Sequence, residues 1–188
     1  MRYKFFWIIR AILYAPFFGK MGLPSYLGKP IFLKRMRQIY IGKRVRIFPH
    51  LRMEVHQSGK IILEDEVVIA QNVHITAGDT LVIGQKTVIL ANAFITDIHH
   101  DYQELDRHIL EQKYLIQKTK IGENCFIGMG AAILPGTQLG KQCIVGSNAV
   151  VKGVFPDYCV IAGIPAKIIK KYNPQTQIWE KVNKENEI

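Results

Sequence analysis

Two adjacent histidines carry the clearest signal for chemistry in this sequence. His99 and His100 lie in the stretch FITDIHHDY, with Asp97 two positions before the pair. Imidazole suits a general base because its pKa lies near neutrality. Neighbouring residues on an extended chain point in opposite directions, so we expect only one of the two to enter a cleft. Asp97 either orients that imidazole or caps a turn, and the sequence leaves both roles open.

The remaining histidines are weaker candidates for a catalytic role. His50, His56 and His74 lie within or beside regularly repeating segments, where a single histidine is usually a surface or corner residue. His108 lies in a long stretch without repeats, so a contact with substrate is its expected role.

Three cysteines define the redox context. Cys125, Cys143 and Cys159 have neither the number nor the spacing of a disulfide framework or a zinc site. Cys125 and Cys143 are 18 residues apart, and we interpret them as small core residues rather than as a disulfide. The pattern favours a cytoplasmic protein without a bound metal.

Charge is distributed unevenly along the chain. Residues 1–53 contain twelve Lys or Arg and no acidic residue, and the whole chain carries a net charge of +10. The positive charge is therefore an N-terminal property rather than a set of scattered surface lysines. No motif that reads nucleic acid accompanies it, so nucleic acid is not an expected partner.

The N-terminus is also rich in aromatic and aliphatic residues at helical spacing. Arg10 interrupts the apolar run and no small-x-small cleavage site follows, so we interpret the segment as retained rather than as a signal peptide. No stretch reaches the ~18–20 apolar residues of a membrane span. The helix is expected either to lie in a bilayer interface next to anionic lipid or to cap the end of the fold. Its apolar face consists of Phe5, Ile8, Ile9, Ile12 and Leu13.

Aliphatic residues recur every six positions through most of the chain. A helix would need a period of 3.6 and a half-buried strand a period of 2. A six-residue period suits a chain that turns a corner after each short strand and points one aliphatic side chain inward on each face. Three faces close one coil, and successive coils stack as parallel strands. The expected inward residues are Ile41, Ile47, Met53, Leu63, Ile69, Ile75, Ile83, Ile89, Ile95, Ile121, Ile127, Ile133, Leu139, Val145 and Val151.

Three breaks interrupt this period. They add 4 residues after Met53, 2 after Ile75 and 20 after Ile95, and each follows the third face of a coil. We therefore expect all three insertions to leave the prism at one corner, where repeat folds usually build their binding face. The longest insertion contains the histidine pair.

Two C-terminal segments and the histidine loop resemble a known family. IGENCFIGMGAAILPGTQLGKQCIVGSNAVV, VIAGIPAKIIKKY and FITDIHHDY resemble the hexapeptide-repeat acyltransferases, specifically the maltose/galactoside O-acetyltransferase-like and polysaccharide O-acetyltransferase types. The resemblance implies an all-β fold, a left-handed parallel β-helix of about five coils. We expect an N-terminal helical segment over 1–40, the β-helix over 41–165 with a protruding loop at 97–120, and a C-terminal extension over 166–188. It also implies acetyl-CoA as co-substrate, no metal, and a homotrimer with active sites between subunits.

The resemblance assigns roles to individual residues. The second histidine of the family's loop falls on His100, whereas the position of the first is occupied by Ile98. His99 and Asp97 are the other catalytic candidates. The expected acetyl-CoA contacts are Met129, Ser147, Lys152, Gly153, Lys167 and Lys170. The expected acceptor contacts are Asn72, Asn92, Tyr102 and His108.

Several activities are compatible with this resemblance. The first is O-acetylation of a surface polysaccharide or its lipid-linked precursor, at the inner face of the cytoplasmic membrane. The others are N-acetylation of a nucleotide-linked amino sugar, acetylation of an antibiotic, and a non-catalytic trimeric scaffold. A zinc-dependent carbonic anhydrase is not expected, because the adjacent pair His99 and His100 does not reproduce its ligand spacing with His74.

Overall fold

The chain folds into a three-sided prism of short parallel strands. The computed structural model describes residues 2–182. The first sheet has the strand order β1-β4-β7-β10-β15-β18-β21, and all of its neighbouring pairs are parallel. Its strands are β1 Lys20–Met21, β4 Ile39–Ile41, β7 Lys60–Leu63, β10 Thr80–Ile83, β15 Lys120–Ile121, β18 Gln138–Leu139 and β21 Val154–Phe155.

The second sheet continues beyond the prism into the C-terminal segment. Its parallel strands are β2 Tyr26–Leu27, β5 Arg46–Ile47, β8 Val68–Ile69, β11 Val88–Ile89, β16 Phe126–Ile127, β19 Ile144–Val145 and β22 Cys159–Gly163. Two antiparallel strands follow, β23 Ala166–Asn173 and β24 Ile178–Lys181. The C-terminal extension therefore doubles back along the second sheet, and residues 183–188 of the expected extension lie outside the described residues.

The third sheet and a hairpin complete the strands. The sheet contains β3 Phe32–Lys34, β6 Arg52–Val55, β9 His74–Ala77, β12 Phe94–Thr96, β17 Ala132–Ile133 and β20 Val150–Val151. The hairpin pairs β13 Ile98–His100 with β14 Tyr114–Ile116. Short 3₁₀ helices cover Ala15–Phe17, Met36–Gln38 and Ile109–Glu111.

The core confirms the six-residue period. All fifteen residues expected to point inward are buried, with at most 3% of their surface exposed. The position four residues later is also buried wherever a small or β-branched residue occupies it, as at Val45, Thr87 and Ala131. Burying such an aliphatic side chain stabilises a fold by about 1.5–3 kcal/mol, and this one central column supplies the core of the prism.

The prism is longer than the expected five coils. The first sheet contains seven strands, so the β-helix has about seven turns and begins at Lys20 rather than at residue 41. The additional first coil is built from β1, β2 and β3, which pair in parallel with β4, β5 and β6. The helical part of the N-terminal segment is correspondingly short, since helix α1 covers Arg2–Tyr14.

Helix α1 packs on the first coils with one face and exposes the other. Ala11 is fully buried, the Trp7 ring lies 5.3 Å from the Phe48 ring, and an Nη atom of Arg10 donates to the Leu27 carbonyl at 3.1 Å. Six large apolar side chains of this region remain exposed: Phe5, Phe6, Ile9, Ile12, Leu13 and Phe17. No helix among residues 2–182 is long and apolar enough to cross a membrane.

All three insertions leave the prism at one corner, as expected. They follow β6, β9 and β12, which are consecutive neighbours in the third sheet. The chain re-enters the first sheet in register each time, at β7, β10 and β15. The corner between the third and first sheets therefore carries the histidine hairpin.

Candidate active site

The histidine pair lies on the β13–β14 hairpin. His99 stands opposite Leu115 and His100 stands opposite Tyr114, and both imidazoles are partly buried. The root of the hairpin packs against Gly78, where an added Cβ would lie only 2.8 Å from Cδ1 of Ile116. A glycine is needed at this corner because the hairpin approaches the backbone so closely.

Asp97 begins the hairpin and is fully buried. The backbone N–H groups of Gly78 and Asp79 donate to its two carboxylate oxygens at 2.7 and 3.0 Å. Burial raises the pKa of the Asp97 carboxyl, although these hydrogen bonds oppose the shift. These contacts give Asp97 the turn-capping role, and no hydrogen bond from its carboxylate to an imidazole is present among the described residues.

The His100 ring belongs to a stack of three aromatic rings. It meets Tyr114 edge to face at a centroid distance of 5.0 Å, and Tyr114 meets His56 in the same manner at 5.4 Å. The Nδ1 atom of His100 is buried and has no hydrogen-bond partner within residues 2–182. Buried polar atoms are almost always paired, so this nitrogen is suited to a partner from outside the single chain.

A glutamate that the sequence did not point to, Glu54, lies next to this stack and is surrounded by Arg52, His56 and His74. Glu54 is 9% exposed and accepts a hydrogen bond from Nε of Arg52. Its carboxylate oxygens lie 3.3 Å from Nε2 of His74 and 3.7 Å from Nε2 of His56. His56 and His74, which were judged weak candidates, are thus brought together with His100 on one side of the prism.

The electrostatics of the cluster favour an ionised glutamate beside neutral imidazoles. Burial raises the pKa of the Glu54 carboxyl, but the hydrogen bond and charge of Arg52 outweigh it and leave the pKa below its usual range. Burial lowers the pKa of both His56 and His74, and the positive charges of Lys34 and Arg52 add to that effect. Glu54 offsets these shifts only in part.

The expected acceptor contacts Tyr102 and His108 lie on the exposed part of the loop. Tyr102 is 70% exposed, and Nδ1 of His108 accepts a hydrogen bond from the Leu110 N–H at the start of a 3₁₀ turn. The loop is organised instead by Gln112, whose side-chain amide bonds both the N–H and the carbonyl of Glu104 and also the Arg107 carbonyl. A buried glutamine inside a polar loop gave no recognisable signal in the sequence.

Asn72 and Asn92 occupy turns at a different corner. Both are exposed and adopt left-handed backbone conformations, with φ of 58° and 62°. Asparagine tolerates this conformation better than most residues, which accounts for both positions structurally. They lie between the second and third sheets, so within one chain the structure does not bring them to the His100 hairpin.

A groove of about 860 Å³ lies at the C-terminal end of the prism. Three of the residues expected to contact acetyl-CoA, Lys152, Gly153 and Lys167, line this groove, and Lys171 lines it whereas Lys170 does not. Their contact with acetyl-CoA stays a prediction. Apolar side chains such as Val154 and Phe155 provide the rest of the wall. Ammonium groups beside an apolar wall fit a ligand that carries phosphates and an uncharged arm.

The remaining expected contacts, Met129 and Ser147, do not reach this groove. Both are exposed and lie in the turns between the second and third sheets, on the same edge as Asn72 and Asn92. The expected residues therefore divide between two edges of one prism. The edge between the third and first sheets carries the hairpin with His100, and also Lys152 and Gly153. The edge between the second and third sheets carries Asn72, Asn92, Met129 and Ser147, whereas Lys167 and Lys170 lie on β23.

This arrangement can position an imidazole near a site for a phosphate-bearing ligand. An imidazole on the hairpin and Lys152 two coils along the same edge are the kinds of group that transfer to a hydroxyl requires. Among residues 2–182 no group of His, Cys, Asp or Glu is arranged to hold a metal ion.

The sequence is similar to known transferases. Residues 118–153 match the family model described as bacterial transferase hexapeptide (six repeats). The chain is 34% identical over 163 residues to WbbJ of Escherichia coli, a protein named for an O-acetyl transferase role in lipopolysaccharide biosynthesis. That alignment covers 81% of each of the two chains.

Solved structures share the fold at lower identity. AntD, an N-acyltransferase from Bacillus cereus crystallised with dTDP and 3-hydroxybutyryl-CoA, superimposes with a TM-score of 0.73 and 18% identity, covering 89% of this chain and 90% of that one. A galactoside acetyltransferase in complex with coenzyme A gives a TM-score of 0.60 and 21% identity, covering 93% and 77%.

Proposed function

This chain belongs to the bacterial hexapeptide-repeat acetyltransferases, and we propose that it transfers an acetyl group from acetyl-CoA to a sugar hydroxyl of a surface polysaccharide or its lipid-linked precursor. The observation that carries the proposal is the placement of His100 and the lysine-lined groove along one edge of the prism. The O-acetyl transferase named as a relative supports a hydroxyl acceptor.

His100 is the proposed general base. It accepts the proton of the acceptor hydroxyl while that oxygen attacks the thioester carbonyl. When the C–S bond breaks, it gives the proton to the departing CoA thiolate, which leaves as the thiol. Backbone N–H groups at a prism corner would stabilise the tetrahedral oxyanion. Tyr114 and His56 pack in series beside the imidazole and restrict its orientation.

The C-terminal groove is the proposed site for acetyl-CoA. Lys152, Lys167 and Lys171 would face the phosphates, and Val154 and Phe155 would line the uncharged part of the molecule. When bound, acetyl-CoA supplies the activated acetyl group. Lys170 and Lys171 are neighbours on β23, and neighbouring side chains of a strand point to opposite sides. Lys171 therefore faces the groove and Lys170 does not.

The proposed assembly is a homotrimer. Met129 and Ser147 lie on a different edge from Lys152 and Gly153, so all four can contact one ligand only if edges of two subunits meet. The buried, unpaired Nδ1 of His100 is consistent with a site completed by a neighbour. A threefold arrangement of prisms brings such edges together three times.

The proposed location is the cytoplasm, with peripheral contact at the inner face of the membrane. The exposed apolar side of α1 lies next to the acid-free stretch that continues through residue 53. A basic, aromatic-rich helix face is suited to an anionic leaflet, where a lipid-linked acceptor would be found.

Thiol release from acetyl-CoA with a panel of acceptors tests the activity. We expect release with sugars or glycans that offer a free hydroxyl, little release without acceptor, and acetylation confirmed by the mass of the product. The acceptor panel also contains nucleotide-linked amino sugars, since the fold is shared with an N-acyltransferase. Product only on an amine would replace O-acetylation by N-acetylation, and no product on any acceptor would refute the enzymatic proposal.

A further inference from the structure

The outer surface of the third sheet carries two rows of side chains beside the candidate active site. Strand register aligns Phe32, Arg52, His74 and Phe94 in one row, and Lys34, Glu54, Thr76 and Thr96 in the next. The inward residues between the rows, such as Met53 and Ile75, are buried in the core. The first coils of the prism therefore carry Lys34, Arg52, Glu54 and His74 side by side on this face, and Phe32 and Phe94 lie at the two ends of the first row.

Arg52 is held in place by one hydrogen bond, and its terminal N–H groups remain available as donors. Its Nε donates to Glu54 and its guanidinium lies 5.3 Å from the centre of the Phe32 ring. Within residues 2–182 its terminal Nη atoms donate to no protein acceptor, and its side chain is 48% exposed. A guanidinium fixed at one nitrogen and open at the others is preorganised for a planar or tetrahedral anion.

The surrounding charge is positive. Glu54 is the one acidic residue in the six strands of this sheet, and Lys34 lies directly opposite it on β3. Arg35 follows Lys34 and donates to the Gln57 carbonyl, next to His56. Arg52 thus pairs with this carboxylate, whereas Lys34 and Arg35 add positive charge near His56, and Lys34 has no acidic partner among the described residues.

This surface adjoins the proposed base. His56 lies against Glu54 on one side and against Tyr114 on the other, and Tyr114 is the ring that packs on His100. An acceptor whose hydroxyl is held at His100 would extend its neighbouring groups toward Arg52 and Lys34.

We propose that Arg52 and Lys34, assisted by Arg35, bind a phosphate group carried by the acceptor, so that the substrate is a phosphorylated sugar. This inference rests on the proposed function, because it treats His100 as the base that marks the position of the acceptor hydroxyl. The phosphate would come either from a lipid diphosphate or from a nucleoside diphosphate, and Arg52 and Lys34 recognise the group common to both.

The first test measures binding without turnover. Calorimetric titration with inorganic pyrophosphate is done in the presence of saturating CoA, so that the C-terminal groove is occupied. We expect binding to the full-length protein, and a roughly 10- to 100-fold loss of affinity in Arg52→Gln and in Lys34→Gln. Lys86→Gln is the matched control, since Lys86 is exposed at the corner between the first and second sheets and should leave binding unchanged.

Several binding results would overturn the inference. They are an absence of pyrophosphate binding to the full-length protein, an unchanged affinity in both variants, and an equal loss in Lys86→Gln. Lys34→Gln keeps the test decisive if Arg52→Gln misfolds, because Lys34 makes no ion pair with Glu54.

The second test compares acceptors kinetically. KM is measured for one sugar as the free sugar, as a nucleoside diphosphate sugar and as a short-chain polyprenyl diphosphate sugar. Arg52→Gln should raise KM for the phosphorylated forms about tenfold or more, with KM for acetyl-CoA and for the free sugar unchanged. The form with the lower KM in the full-length protein identifies the source of the phosphate.

Failure of the phosphate-site inference can be distinguished from failure of the proposed acetyl-transfer function. Equal effects of Arg52→Gln on free and phosphorylated sugars, or an effect confined to a carboxylated sugar, would refute the phosphate site while leaving acetyl transfer intact. Absence of transfer to every acceptor would refute the proposed function, and the pyrophosphate titration would still decide whether the anion site exists.

Discussion

The exposed side of α1 gives a quantitative prediction for membrane binding. Phe6 is 60% exposed and Leu13 is 64% exposed, so each has about three-fifths of its surface available to a bilayer interface. Full burial of such a side chain contributes about 1.5–3 kcal/mol, and the available part corresponds to about 1–2 kcal/mol each. The double variant Phe6→Ser/Leu13→Ser should therefore lose about 2–4 kcal/mol per subunit, which lowers the partition coefficient at least ~30-fold.

Co-sedimentation with liposomes that contain anionic lipid measures this loss. Wild-type protein should bind at low salt and dissociate as salt rises, because the basic residues near the helix interact with the leaflet through screened charges. Leu105→Ser/Leu110→Ser is the matched control, since both leucines are exposed on the hairpin loop, far along the sequence from α1. Point variants are preferable to deletion of residues 1–20, because Ala11 and Trp7 also pack on the prism.

Three outcomes would refute the reasoning. Wild-type protein that ignores the liposomes at low salt would show that the helix only caps the prism. Equal binding of wild type and the α1 variant would place the contact elsewhere. A change of oligomeric state in the variant, seen by analytical ultracentrifugation, would assign the apolar face to a contact between subunits.

The remaining predictions concern catalysis and stability. His100→Ala should lower the acetyl-transfer rate by roughly 10²–10⁴-fold while calorimetric binding of acetyl-CoA persists, and His99→Ala should have a much smaller effect; the reverse order would mean that the assignment is wrong by one residue. Burial raises the pKa of the Asp97 carboxyl above its value in the unfolded chain. The protonated carboxyl therefore adds to the free energy of unfolding at low pH, and this addition is lost as the pH rises through the raised pKa. Urea unfolding should therefore show Asp97→Asn increasingly destabilised relative to wild type as pH falls from neutral toward the ordinary aspartate range, and a difference independent of pH would contradict this. Gly84→Ala should cost about 1–3 kcal/mol of unfolding free energy, because the new Cβ would lie 2.5 Å from the Glu123 nitrogen, and a midpoint equal to that of wild type would contradict the tight stacking of coils.

The fold was predictable because each face of a coil buries one side chain in the core, and that position must therefore be aliphatic. Every aliphatic residue at the six-residue spacing from Ile41 to Val151 points into the core. The same spacing continues backward through Leu33, Leu27 and Met21, with glycine after the last two, so the first coil could also have been found. It was masked by the preceding amphipathic segment, whose helical periodicity drew the whole N-terminal region into one element.

The candidate site was predictable only in part, because it depends on which residues stack across coils. Arg52 and His74 are 22 residues apart, as are Glu54 and Thr76, which is one coil plus the four inserted residues. Counting residues per coil in this way would have predicted that Arg52 stacks on His74 and that Glu54 stacks on Thr76. The contacts of His56 with Glu54 and Tyr114 could not be derived this way, since they depend on where the hairpin folds back.

Turn residues illustrate a second limit of the sequence. Asn72 and Asn92, which are expected to contact an acceptor, adopt the left-handed backbone conformation that a corner requires. The acceptor contact stays a prediction. Asp97 similarly caps the turn at Gly78 and Asp79. A polar residue at a corner can bond the backbone, a substrate or both, and the sequence alone does not separate these roles.

Because all three insertions leave the prism at one corner, the pairing of the core strands does not depend on the length of the hairpin loop. β10 pairs with β15 and β12 pairs with β17 in unbroken parallel register, although the whole hairpin lies between them in sequence. A loop of another length or composition could therefore replace the outer part of the hairpin, residues 101–113, without changing the register of these strands. Such a prism can exchange the outer part of the hairpin beside His100 while the lysine-lined groove and the folding core stay constant. If the hairpin contacts the acceptor as proposed, grafting this loop between relatives is a practical route to new specificities.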